Sequence, residues 1–130
     1  MTTERGPVIR ELKATRTFET GATRSSSEGK FGYEGFLSPL VLRRFGAYMH
    51  KHRALPDGSL REPDNWQRGI PLSSYMDSLW RHFMDLWLHH RQFEALAVEQ
   101  DIEDVLCALL FNIQGYLHVL LTAEYEANNP

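Results

Sequence analysis

At 130 residues, 42% hydrophobic and 24% charged, the chain is long enough to bury one core and has the make-up of an ordinary globular domain. Its 14 basic and 17 acidic side chains leave a net charge of −3, which argues against the basic face that electrostatic nucleic-acid binding needs but leaves room for a locally positive pocket. Cys107 is the only cysteine, so an internal disulfide and a thiolate zinc cluster are both excluded.

The opening stretch MTTERGPVIRELKATR mixes charges throughout and has no apolar segment of the kind a signal peptide carries. The longest apolar run, VLCALLFNIQGYLHVLL, is interrupted by Asn112, Gln114 and His118 and reads as a buried helix rather than a membrane span. The expectation is a soluble, cytoplasmic protein with neither a membrane nor a nucleic acid as partner.

Residues 1–30 are polar and punctuated by Gly6-Pro7, Gly21, Ser25–Ser27 and Gly29, which predicts an extended arm or loop ahead of a helical domain over 31–130. Within it, GATRSSSEGK sets Arg24 and Lys30 among small residues, either as a lid over an anion or as part of a floppy terminus; the Walker spacing is missing. Ser38-Pro39 is a helix start, with serine as cap and proline at the first helical position. Val41, Leu42, Phe45, Tyr48 and Met49 then recur at helical spacing to about residue 53. ALPDGSLREPDNWQRGIP, with three prolines and two glycines, is a long loop in which Trp66 is an anchor that disorder would not need.

A second helix is predicted from Leu72 to about His90 and a third from Asp101 to about Glu124, with RQFEALAVEQ between them as a loop carrying one extra turn. No β-branched alternation of useful length occurs, so strands are not expected. The fold class is all-α: a small bundle of three main helices, a long tryptophan-containing loop and an extended N-terminal arm.

The chemistry concentrates on the second and third helices. Met76, Leu79, Trp80, Phe83, Met84 and Trp87 fill a broad apolar side suited to a core, while Ser78, His82, Asp85 and His89 line the other at spacings of four, three and four. That stripe is either a solvated face or a set of groups touching one ligand. The third helix is apolar nearly all round, as befits the buried centre of a bundle, yet carries Asp101, Asp104 and Asn112 in one narrow sector. A buried carboxylate is paired or metal-bound, because an unpartnered one costs several kcal/mol. Asp104 could instead cap the helix start; Asn112, in mid-helix, either bonds a neighbouring backbone or reads a ligand. Carboxylates at i and i+3 on two facing helices would converge on a divalent cation, Mg²⁺ first and Mn²⁺ second, beside substrate phosphates. All-α nucleoside triphosphate pyrophosphohydrolases work in this way with Glu-rich pairs; here the first pair contains His82.

Three stretches, FETGATRSSSEGKFGYEGFLSPLVL, DNWQRGIPLSSYMDSLWRHFMDLW and IEDVLCALLFNIQGYLH, together resemble a phage-associated family, the N-terminal domain of dATP/dGTP diphosphohydrolases. The likeness covers about residues 18–121 and is carried by Thr23-Arg24, Gly29-Lys30, Tyr33-Glu34 before Ser38-Pro39, Asn65-Trp66 with Gly69, Arg81-His82, and Phe111-Asn112. It implies metal-dependent hydrolysis of a purine deoxynucleoside triphosphate to the monophosphate and pyrophosphate. On that reading Asp85 and Asp104, supported by Asp101 or Glu34, hold the metal, and Arg24, Lys30 and Arg81 take the phosphates. His82 orients the water or bonds a phosphate, Trp66 stacks on the purine unless it simply plugs the core, and Asn65 or Asn112 reads the base edge. His89, His90 and His118 read as surface or core histidines and Cys107 as a small hydrophobe. One helical hairpin rarely walls off a nucleotide, so a homodimer or larger assembly is expected. The alternative is a nucleotide-binding protein that sequesters or regulates without turnover; a scaffolding module would leave Asp104 and Asn112 unexplained.

Overall fold

The computed structural model describes residues 14–130, and the arm residues 1–13 lie outside that range. The chain is mostly helical and divides into two compact units between Leu37 and Ser38. In the first unit, β1 (Thr15–Thr17) and β2 (Thr23–Ser25) form an antiparallel hairpin with Arg16 opposite Arg24, followed by a short helix α1 (Tyr33–Phe36). The hairpin closes through Phe18 N–H to the Ala22 carbonyl at 2.8 Å, with Gly21 at φ 87° where a side chain would be strained. This corrects the expectation of no strands. Three-residue strands of Thr and Arg, exposed on both faces, present no apolar alternation to read.

The second unit holds α2 (Pro39–Lys51), α3 (Leu72–His90) and α4 (Ile102–Asn128). Ser38 caps α2 as its residue type demands, its Oγ accepting from Val41 N–H at 3.2 Å. The helix stops at Lys51, two residues before the periodicity ends, because residues 53–61 turn back on themselves: Leu55 N–H donates to the Ser59 carbonyl and Arg61 N–H to that of Arg53. A 3-10 turn, Asn65–Arg68, carries Trp66, and Gly69 at φ 120° redirects the chain into α3. At the far end of α3, Phe93 N–H reaches the Leu88 carbonyl and Gln92 N–H that of His89, with Gln92 left-handed at φ 65°. That is the Schellman closure, here without its usual glycine. A second 3-10 turn, Glu94–Leu96, supplies the extra turn expected between the helices.

Helices α3 and α4 run antiparallel: Tyr75, near the start of α3, packs against Gly115 in mid-α4, while Asp85, further along, reaches residues 98–99 just ahead of α4. The buried apolar set is small, comprising Phe45, Tyr75, Ala97, Val105, Cys107 and Ala108.

Which faces turn inward reverses the reading of α3. Its buried residues are Tyr75 and Asp85, flanked by half-buried Ser78, Leu79, His82, Leu86 and His89. Met76, Trp80, Phe83, Met84 and Trp87, from the broad apolar side, point outward with 41–67% of their surface exposed. Likewise α4 buries its polar and small residues, Asp104, Cys107, Ala108, Asn112 and Gly115, and leaves Leu106, Ile113, Leu117, Leu120 and Leu121 about half exposed. It is therefore not the buried centre its composition predicts. It also extends to Asn128, long and apolar enough by length and composition to cross a membrane.

Candidate functional site

A cavity of about 570 Å³ opens where the end of α2 meets the loop and α4. Tyr48 and His52 come from the last turn of α2 and its cap, Arg53 and Arg61 from the two arms of the turned-back segment, Asn65 and Trp66 from the 3-10 turn, and Phe111 from α4. The wall is aromatic. Trp66 stands edge-on to Phe111 with ring centres 6.2 Å apart and also against His118 at 4.9 Å, so it is wedged rather than free. Tyr48 and His52 lie 4.2 Å apart.

The cationic groups are positioned by the backbone around them. Arg53 Nε donates to the Arg61 carbonyl at 2.7 Å and Arg61 Nη1 to the His52 carbonyl at 2.9 Å, which locks the turned-back segment onto the helix end. A guanidinium has five N–H donors, so each arginine retains donors beyond these bonds. Burial, followed by the nearby Lys51 charge, holds the His52 imidazole below its ordinary 6.5, so it is neutral at pH 7. Glu62 is the single carboxylate in the lining.

The carboxylates expected to hold a metal have other partners. Asp104, buried, accepts from Arg44 Nη2 at 2.5 Å and pairs with Lys51, both on α2. Asp101 is the N-cap of α4, accepting from Glu103 N–H at 2.9 Å, and lies 3.5 Å from the Arg44 guanidinium. Asp85 takes Val98 N–H at 3.0 Å and Glu99 N–H at 3.1 Å, one on each oxygen. Each acid thus serves a different clamp: Asp104 ties α2 to α4, and Asp85 ties the 98–99 segment to α3. A divalent cation at Asp104 would have to displace an ammonium and a guanidinium. Among the described residues no group of three or more His, Cys, Asp or Glu side chains is arranged to hold a metal ion.

No family model matches the chain, and neither does a curated protein or a solved structure. The resemblance over residues 18–121 therefore rests on its motif residues, and the site is read from its geometry.

Of the residues predicted from sequence, Asn65 and Trp66 line the cavity. His82 is half-buried on the inward face of α3, its imidazole lowered by burial against the opposing pull of Asp85. Arg81, exposed on α3, donates to Ser78 Oγ at 3.0 Å and is not part of the cavity lining. Asn112 is buried and donates to the Ala108 carbonyl at 2.8 Å, the local backbone bond that was one of its two readings. His89, read as an ordinary histidine, meets the Glu99 carbonyl at 2.8 Å and reinforces the Asp85 clamp. Arg24 (β2), Lys30 (in the turn after it) and Glu34 (α1) belong to the first unit.

Tyr48, His52, Arg53 and Arg61 were not singled out in sequence. The signal was faint but present: Arg53 and Arg61 bracket a Pro-Asp-Gly turn, with Arg61 five residues before the loop tryptophan, a spacing that brings the two arginines back beside each other.

The Asp104 cluster makes the protein acid-sensitive. Hydrogen bonds from Lys51 and then Arg44 hold its carboxyl below its ordinary 3.8. A depressed carboxyl favours the folded state fully above its unfolded pKa and progressively less as pH falls below it. The expected result is a wild-type unfolding curve that weakens below about pH 4. In Asp104→Asn that part of the pH dependence is lost, as read by chemical denaturation from pH 7 to pH 2.5.

Proposed function

We propose that the helical unit binds a purine deoxynucleotide in the cavity formed by α2, the loop and α4, and holds it without hydrolysing it. The observation that carries this reading is the pairing of an edge-packed aromatic wall, Trp66 on Phe111, with two guanidiniums, Arg53 and Arg61, in one space of about 570 Å³. Small-ligand sites have this size and this mixture of apolar wall and few oriented polar groups. A base would lie against Trp66 with Asn65 at its edge, and the phosphates would take the free donors of Arg53 and Arg61. The preference for a purine and a deoxyribose comes from the family resemblance; the cavity itself supports a planar base and an anion.

Sequestration is preferred to turnover because Asp85 and Asp104, the acids a magnesium-dependent hydrolysis would call on, are engaged with backbone amides and with Arg44 and Lys51. Hydrolysis through them would require those clamps to open.

Calorimetric titration of the protein with dGTP and dATP in Mg²⁺, with pyrophosphate followed in parallel, tests the proposal. Saturable binding without pyrophosphate is expected. Loss of one base-stacking contact is worth about 1–3 kcal/mol, so Trp66→Ala weakens binding roughly 5- to 150-fold. Absence of binding, or unchanged affinity in Trp66→Ala, overturns the site; pyrophosphate released in proportion to protein overturns sequestration in favour of a hydrolase.

A further inference from the structure

At ~100° per residue, α3 divides into three sectors. One faces α4 and carries Tyr75, His82 and Asp85; a second is charged, with Asp77 and Arg81 exposed; the third is Met76, Trp80, Phe83, Met84 and Trp87. The third sector has no charged residue, yet its side chains are 41–67% exposed, and Trp80 touches only Phe83 among the aromatic rings, at 6.2 Å. On α4, Leu106, Ile113, Leu117, Leu120 and Leu121 form a second outward row, 47–53% exposed, in a stretch from Val105 to Ala123 that holds no Asp, Glu, Lys or Arg.

We infer that a second copy of this chain covers both rows, the outward row of α3 in one protomer packing on the outward row of α4 in the other. Three observations converge. The first is area. Three of the ten large side chains are aromatic, worth about 150–250 Å² each when fully exposed, and the ten at about half exposure present roughly 800 Å² of apolar surface, matching the value of about 800 Å² per partner in a stable interface. The second is core size. Within the helical unit Tyr75 and Val105 are the large side chains no more than 2% exposed, a small core that packing of the outward rows would enlarge. Covering the face would stabilise the folded unit, and a partner always present in equal amount is the chain itself. The third is complementarity. The two rows are different surfaces on one molecule, so a two-fold axis that sets α3 on the partner's α4 also sets α4 on the partner's α3, closing the assembly with both rows used. The result is a four-helix core whose centre is made of the residues the single chain leaves outside. A bilayer is the less favoured cover, because Asp77 and Arg81 sit alongside the apolar row of α3 and would enter the hydrocarbon with it.

This inference is independent of the nucleotide site, since its test reads mass and indole accessibility and no ligand. Light scattering behind size exclusion at low micromolar concentration is expected to give twice the 15.1 kDa chain mass. Acrylamide quenching of the wild-type protein is expected to show most tryptophan emission shielded, as Trp80 and Trp87 join the wedged Trp66. Trp80→Lys and Leu117→Lys, on opposite sides of the contact, are each expected to halve the mass or to abolish folding. A folded wild-type monomer overturns the proposal. So does a dimer whose Trp80 and Trp87 quench like free indole, a dimeric and folded Trp80→Lys, or partition of wild type into phosphatidylcholine vesicles in place of self-association.

Discussion

Replacing Gly115 with alanine is expected to abolish the folded helical unit or lower its Tm by 10 °C or more. A methyl group at that position would sit 2.6 Å from Tyr75 Oη and closer still to two carbons of the ring. The space is filled because the ring of Tyr75, 2% exposed, sits against Gly115 of α4, and no residue larger than glycine lets the two helices approach around it. The ring has little freedom to retreat, being packed edge-on to Phe111 at 6.0 Å, itself beneath Trp66. Overpacking a tight core costs about 1–3 kcal/mol and more when the neighbour cannot move. At ~4–8 °C per kcal/mol for a domain of this size, the loss is visible in any thermal melt. Tyr75→Phe is the control. The Tyr75 hydroxyl is buried without a hydrogen-bond partner, so deleting it keeps the ring and removes only an unsatisfied group. That variant is expected to match or exceed wild type; a Gly115→Ala protein as stable as wild type would show that the helices do not meet here.

Asp85→Ala is expected to be nearly as damaging for a different reason. Two backbone amides, of Val98 and Glu99, end on its carboxylate, one on each oxygen. Hydrogen bonds to a charged group contribute about 1.5–3 kcal/mol each, so removing both costs about 3 kcal/mol or more and frees the segment leading into α4. Asp85→Asn keeps one acceptor and turns the other position into a donor facing an N–H, so it recovers part of the loss at most. Hydrogen exchange at residues 97–101 separates this account from a ligand role: the clamp predicts loss of protection there without any nucleotide present. Unchanged protection in Asp85→Ala would contradict it.

Local chemistry made much of the fold legible. Ser38-Pro39 specifies a helix start by itself, and the period of apolar residues places α3 at Leu72–His90, where it lies. What the pattern could not convey is which face turns inward. Apolar periodicity identifies a face suited to burial, yet in this chain Trp80 and Trp87 on that face point out while His82 and Asp85 point in. The same limit applies to the site. His82, Asp85 and Asp104 were noticed because polar groups among apolar ones need partners; Asp85 finds them in the Val98 and Glu99 amides and Asp104 in Arg44 and Lys51. Those partners lie between 13 and 60 residues away, beyond any local pattern. Trp66 was legible as an anchor, whereas Arg53 and Arg61 become neighbours only when the Pro56–Ser59 turn folds.

A crystal structure with a non-hydrolysable dGTP analogue and Mg²⁺ would locate the nucleotide and the two carboxylates together. It is expected to show the base against Trp66, the phosphates on Arg53 and Arg61, and Asp85 and Asp104 still on their backbone amides and basic side chains. A nucleotide bound instead between α3 and α4, its phosphates joined through a metal ion to Asp85 and Asp104, would contradict the account.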